Sequence, residues 1–329
     1  MNLVSPPRHL IGLLVSALAL WLASRQIEVE AFLDALRSAD AGLIALSFAI
    51  TVGVCLLRVA RWRILFSFAS SVGSNSLFSV LMIGFLANNL LPARLGDVAM
   101  AFLLHYKEGV GKSRSLGAIF LDRLFDVIAL VALMSLVLLV HDLPIWVDWI
   151  VELGLAGCVV LFGFIWMTVR NEERSRELVE RLTKVFPPTA QSRLMQVFVM
   201  AVEGMQAVHS PKRTMAALVA SFLIWSSLGM GVFLLTQSFG FSLGLLEAVV
   251  VMGIVNLGLV IPSSPGFVGT FQLFCVAALS LYDIDKSSAL SFSVMYHLSQ
   301  WLPTTLIGYY YLNRENLRLG SIRELGSRQ

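Results

Sequence analysis

The sequence predicts an all-α, polytopic integral membrane protein, with about six full spans plus two re-entrant, broken helical hairpins in an inverted repeat. Three observations predict it. Of 329 residues, 57% are hydrophobic and only 14% are charged, with a mean hydropathy of +0.80, whereas a soluble domain carries about 25% charged residues. Apolar runs near the ~20 residues that a membrane helix needs recur along the chain. Two further apolar regions are broken by proline, glycine and polar residues, "LPARLGD" in the first and "IPSSPGFVG" in the second. So little charged sequence leaves no separate soluble catalytic domain, and residues 1–329 read as a single membrane domain. A net charge of +3 without a long basic face excludes a nucleic-acid partner. Cys55, Cys158 and Cys275 sit in apolar segments without CxxC spacing, so they read as small buried hydrophobes.

The elements follow in order. Residues 9–24 follow Arg8 and carry Ala17 and Ala19, a weak imitation of a signal peptide; the many later spans make them an uncleaved first span. Residues 25–40 read as a short outer helix with Phe32, Leu33 and Leu36 on its apolar side. Spans are expected at 41–58, 116–140, 150–169, 214–237 and 288–312, and the interrupted regions are 77–104 and 245–282. Residues 170–213 form a cytoplasmic amphipathic linker split by Pro187 and Pro188, with Leu178, Leu182 and Val185 at helical spacing. It reads as a surface linker at the lipid headgroups, or as a regulatory or partner-binding segment.

Orientation comes from Lys and Arg in short flanks. Arg58, Arg61 and Arg63, then Lys107, Lys112 and Arg114, then eight basic against five acidic residues in 170–213, and finally the tail arginines mark the cytoplasmic side. Asp142, Asp148 and Glu152 stand without basic neighbours on the other side. Both termini are therefore cytoplasmic, in the cytoplasmic (inner) membrane. The same reading puts both ends of 77–104 inside and both ends of 245–282 outside. Each region must enter and leave on one face, as a pair of half-helices does. Residues 41–140 and 214–312 then form two halves of opposite topology, a plan of many secondary transporters. Irregular backbone at membrane depth survives only where protein or a water-filled cavity surrounds it, so both breaks predict a polar interior.

The polar residues inside these regions are the candidates for function. In "NNLLPARLGD", Pro92 and Gly96 break the helix, and Arg94 and Asp97 are three apart. They form either a mutual salt bridge that locks the break or a site in which Arg94 holds an anion, with Asn88 and Asn89 as further donors and a helix N-terminus beside it. In "LDRLFD", Asp122 and Asp126 are four apart on one face and Arg123 is three before Asp126. This cluster is either a charge group packing on Arg94 or Arg61, or a site that relays protons or balances a bound cation. Arg58 and Arg61 are explained by positive-inside anchoring or by capture of an anionic headgroup. In "IPSSPGFVGTFQ", Pro262 and Pro265 stop helices, Gly266 and Gly269 permit close approach, and Thr270 and Gln272 are neutral donors and acceptors.

Taken together and in this order, "NNLLPARLGD", "LDRLFD" and "PSSPGFVGTFQ" resemble the membrane-region family of lysylphosphatidylglycerol synthases, over about residues 8–315. The resemblance implies a lipid-translocating membrane domain with two re-entrant hairpins. It maps the family's Asn, Pro-Ala-Arg and Gly-acid positions onto Asn88, Pro92, Ala93, Arg94, Gly96 and Asp97, its Arg-x-x-Asp onto Arg123 and Asp126, and its Pro-Gly pattern onto Pro265, Gly266 and Gly269. Two departures matter: Asp97 and Gln272 stand where the family usually has Glu, and the loss of the second carboxylate removes a proton or cation site. An aminoacyl-transfer domain is not expected after residue 315, so the chain is not expected to make the modified lipid.

Three functions follow as expectations. The first is a flippase-like carrier for an amphipathic, anionic lipid or lipid-linked substrate, working without cofactor or metal. The second is an accessory membrane subunit of a lipid- or glycan-modifying enzyme. The third is a membrane enzyme acting on a lipid phosphate, which needs a nucleophile or metal cluster; only the Asp122 and Asp126 pair offers one. Membrane lipids are the expected partners, with a lipid-modifying enzyme as a further one, and the sequence sets no oligomeric state.

Overall fold

The structure is a computed structural model, and it describes residues 8–24, 27–69, 71–91, 95–141, 143–261 and 263–317. Among the described residues the regular elements are all helical: α1 (Arg8–Ser24), α2 (Val29–Ser38), α3 (Ala41–Leu65), α4 (Ser74–Leu90), α5 (Leu95–Glu108), α6 (Lys112–Leu138), α7 (Ile145–Arg170), α8 (Glu172–Thr183), α9 (Pro188–Gly204), α10 (Pro211–Ser238), α11 (Leu245–Gly258), α12 (Thr270–Leu279) and α13 (Lys286–Arg314). The protein is a polytopic all-α membrane protein. Ala41–Leu65, Ile145–Thr168 and Pro211–Ser238 are long and apolar enough to cross a bilayer, as is the interrupted stretch Pro265–Tyr282. Helices α6 and α13, the other long spans expected, have 27 and 29 residues. The first carries Asp122, Arg123 and Asp126 in its middle, and the second carries serines, threonines and Pro303.

Both interrupted regions are helix pairs. At 1.5 Å per residue, the 14 residues of α11 and the 10 of α12 span roughly 21 and 15 Å, each short of a hydrocarbon core of about 30 Å; only with its flanking 3-10 turns does α12 extend to the 18 residues of Pro265–Tyr282. α11 packs against α12, so the chain reverses at the break. The first break reverses it too, because Gly96 at the start of α5 lies against Gly84 and Asn88 of α4.

The chain divides into two compact units, Met1–Cys55 with Met82–Gly96 and Ser226–Gln329, and Leu56–Leu81 with Asp97–Trp225. Each draws on both halves that the sequence suggests. In the first unit α11 is apolar all round and enclosed from Ala248 to Val255, as a helix must be when other helices surround it. α13 starts at the N-cap Asp285, whose side chain accepts the Ser288 N–H at 2.9 Å. Asp285→Ala leaves that N–H without its acceptor and is expected to cost about 1 kcal/mol, read as a lower midpoint of thermal unfolding in detergent. In the second unit α6 packs on α7 and α9. α7 turns Leu153, Leu155, Val159 and Val160 outward, the pattern of a helix whose solvent is hydrocarbon.

Candidate functional site

The first unit brings the two helix breaks together. Ahead of the first, Asn88 and Asn89 close α4. Asn88 Oδ1, in the side-chain amide, accepts the Gly96 N–H at 2.9 Å, which ties the end of α4 to the start of α5. The Asn89 amide nitrogen donates to the hydroxyls of Thr305 at 2.9 Å and Thr304 at 3.2 Å on α13. These threonines follow Pro303, which lacks the N–H that would continue the helix ladder. At the second break, Gly266 and Phe267 adopt left-handed φ of 68° and 59°, and Gly269 has φ 92°. Thr270 donates its hydroxyl back to the Phe267 carbonyl at 3.0 Å, which closes the turn before α12.

The breaks touch. A Cβ built at Gly266 would stand 3.1 Å from the Asn89 carbonyl oxygen and 3.2 Å from the Trp301 indole nitrogen. Gly269 lies against the backbone of Ser16 and Leu20 in α1, and the Ser16 hydroxyl accepts the Ser264 N–H at 2.8 Å. The Gly269 N–H donates to Gln272 Oε1 at 2.7 Å, one half of a capping box. That bond orients the amide, so Gln272 Nε2 faces His297 Nδ1 at 3.1 Å. The His297 ring lies flat on Phe271, with centroids 4.4 Å apart and planes 8° apart. The result is a seam of neutral polar groups, from Asn89, Thr304 and Thr305 to Gln272 and His297, inside an apolar bundle.

The second unit gathers charges of both signs. Arg61, with 0% side-chain exposure, places Nη1 2.6 Å from Asp126 Oδ1 and Nη2 2.7 Å from Asp122 Oδ1. Its Nη1 also donates to the Ser221 hydroxyl at 2.7 Å. Asp126 further accepts from Arg58 at 3.1 Å and from the Trp225 indole at 3.0 Å. Arg123 grips Asp97 through Nε at 3.3 Å and Nη2 at 2.9 Å, and its Nη1 lies 3.6 Å from Asp126. Three arginines thus face three aspartates, on α3, α5 and α6. The i, i+3 spacing of Arg58 and Arg61 and the i, i+4 spacing of Asp122 and Asp126 put each pair on one helix face. Charges taken from water require such pairing.

Of the residues marked in the sequence, Arg58, Arg61, Asp97, Arg123 and Asp126 come together in this network. Asn88, Asn89, Gly96, Pro265, Gly266, Gly269, Thr270 and Gln272 lie at the two breaks. Pro92, Ala93, Arg94 and Pro262 lie outside the described residues. Cys55, Cys158 and Cys275 are buried thiols. Sequence reasoning passed over Ser16, Ser221, Trp225, His297, Thr304 and Thr305. Only the run "LPTTL" held a signal, a proline and two hydroxyls inside a span; the others are single polar residues that only the packing distinguishes.

The family described as Lysylphosphatidylglycerol synthase TM region matches residues 9–308. The chain is 26% identical to a UPF0104 membrane protein of Methanocaldococcus jannaschii over 70% of this chain and 96% of that one. It is 22% identical to a UPF0104 membrane protein of Pyrococcus horikoshii, over 95% of this chain and 98% of that one. It is also 23% identical to Glycosyltransferase AglD of Haloferax volcanii, over 87% of this chain but only 51% of that protein. No solved structure matches.

Proposed function

The chain belongs to the lysylphosphatidylglycerol synthase TM region family, and from that premise we propose that it carries an amphipathic, anionic lipid or lipid-linked substrate across the cytoplasmic membrane, without itself making or breaking bonds. The supporting observation is the seam at the meeting helix breaks. Two reversals of the chain touch at Asn89 and Gly266, and neutral polar groups line up beside them. A headgroup crossing hydrocarbon needs such partners, because an unpaired polar group there costs several kcal/mol. Acyl tails stay in lipid while the headgroup exchanges hydrogen bonds along Asn89, Thr304, Thr305, Gln272 and His297. These groups are uncharged donors and acceptors whose bonds are individually weak, as passage requires. Arg94, in the first break, supplies the positive charge that meets the phosphate. Both chain termini face the cytoplasm in this reading.

The test is a reconstitution. Vesicles holding the protein are expected to equilibrate fluorescent phosphatidylglycerol between leaflets faster than protein-free vesicles. Asn89→Leu, in protein that still elutes as a single species, is expected to slow this by about tenfold, the equivalent of one lost hydrogen bond at the barrier. No movement of any headgroup rejects the carrier reading. The similarity to Glycosyltransferase AglD, half of whose length the chain matches, favours a second reading, an accessory membrane subunit of a lipid- or glycan-modifying enzyme. Stoichiometric co-purification of such an enzyme, with no lipid movement, selects it.

A further inference from the structure

Within the second unit, α6 and α7 leave an apolar groove of about 380 Å³ between them, lined by Phe120, Val127, Gly154, Gly157 and Leu161 and by one charged residue, Arg123. The size falls within the roughly 300–1,000 Å³ of ligand sites. α7 is the exposed wall, with Leu153, Val159 and Val160 turned outward. Gly157 has no heavy atom within 4 Å of where its Cβ would stand, so the groove is open there. We propose that this groove binds one anionic phospholipid, its acyl chain laid along Gly154 and Gly157 and its phosphate held by Arg123.

The chemistry selects both parts of the ligand. A groove of this composition on a lipid-facing helix pair excludes water and takes hydrocarbon. Its one charged lining group, Arg123, is already paired with Asp97, so the complementary headgroup is one that accepts hydrogen bonds from the remaining guanidinium N–H groups, as a phosphate does. Arg123 has donors for it: of its five N–H groups, Nε and one on Nη2 donate to Asp97. The Asp126 contact at 3.6 Å attracts by charge but is beyond hydrogen-bond reach. Arg123 lies 11 residues into α6, roughly 16 Å from its start, behind the basic flank of Lys107, Lys112 and Arg114. A phosphate drawn to it sits deeper than the headgroups of the surrounding leaflet. This site does not depend on the carrier reading, because it is a binding site whether or not lipid crosses.

Native mass spectrometry of the detergent-purified chain, titrated with phosphatidylglycerol and phosphatidylcholine, tests it. One retained phosphatidylglycerol per chain is expected, bound about tenfold more tightly than phosphatidylcholine, as one charge-assisted contact implies. Gly157→Leu fills the groove and is expected to abolish the adduct. Gly163→Leu, on the same helix where a Cβ also meets nothing within 4 Å but outside the groove, is expected to keep it. Arg123→Gln is expected to erase the headgroup preference. An adduct that survives Gly157→Leu overturns the proposal, as does equal binding of the two lipids. A groove filled instead by a second copy of the chain, seen as a dimer that Gly157→Leu splits, overturns it too.

Discussion

Asp126→Ala is expected to destabilise the protein by about 3–5 kcal/mol, the effect of stripping one partner from a buried ion network. Asp126 takes contacts from Arg58, Arg61 and the Trp225 indole, with Arg123 3.6 Å away. Its removal leaves the fully buried Arg61 facing Arg58 and Arg123 without the carboxylate between them. Thermal unfolding in detergent reads the loss, and Trp225 fluorescence reports it locally. A paired test separates ionic locking from mere polarity. Arg61→Met alone strands Asp122, which is 1% exposed and ion-paired to Arg61 at 2.7 Å. Arg61→Met with Asp122→Leu removes one charge of each sign and leaves Asp126 with Arg58, Arg123 and Trp225. The double variant is expected to be more stable than Arg61→Met, because well-packed apolar groups replace a buried pair at little cost. Additive losses in the double variant refute the lock. If the double variant folds but moves no lipid, the pair is required for transport beyond its part in stability.

The membrane class, the long spans and both helix breaks were legible in the sequence, because each rests on properties of neighbouring residues. Hydrophobic runs declare their length, and proline with glycine declares a stop. The charge cluster was legible in part: the spacing put Asp122 and Asp126 on one face, and Arg61 was one of two arginines weighed as their partner. That Arg61 pairs with both aspartates could not be read from spacing, since it depends on how α3 lies beside α6. Asp97 shows the same limit. Its sequence neighbour Arg94 suggests a local pair and lies outside the described residues, while Arg123, 26 residues on, grips Asp97 as well. The seam was least legible. Asn89 reaches across 216 residues to Thr305, and Gln272 across 25 to His297. Nothing in a one-dimensional pattern links a neutral amide to a distant hydroxyl. Asn88 and Asn89 read from the sequence as donors for an anion; the fold also uses the side-chain oxygen of one and the nitrogen of the other to fasten the first break.

Gly269→Ala is expected to cost about 2–6 kcal/mol, from two separate sources. At φ 92° and ψ −57° an L-residue is strained, by about 1–3 kcal/mol. A Cβ there also overlaps the Ser16 carbonyl and stands 3.1 Å from the Leu20 N. Backbone does not yield as a side-chain tip does, and overpacking of this kind costs about 1–3 kcal/mol more. Gly240→Ala isolates the first source: its φ is 70° and nothing lies within 4 Å of the added carbon. The difference between the two unfolding midpoints therefore measures how firmly α1 is pressed onto the second break. Ser16→Ala probes the same contact by subtraction, because it leaves the Ser264 N–H without the hydroxyl that accepts it, a loss of about 1–3 kcal/mol for a buried donor. If Gly269→Ala and Gly240→Ala are equally mild, α1 yields to the added carbon, and the first helix does not fix the break. If Gly269→Ala is far worse, the break is held from α1 as well as from α13. In the proposed carrier, the headgroup then passes a rigid bend, with the hydrogen bonds of Gln272 and His297 exchanging partners while the backbone stays in place.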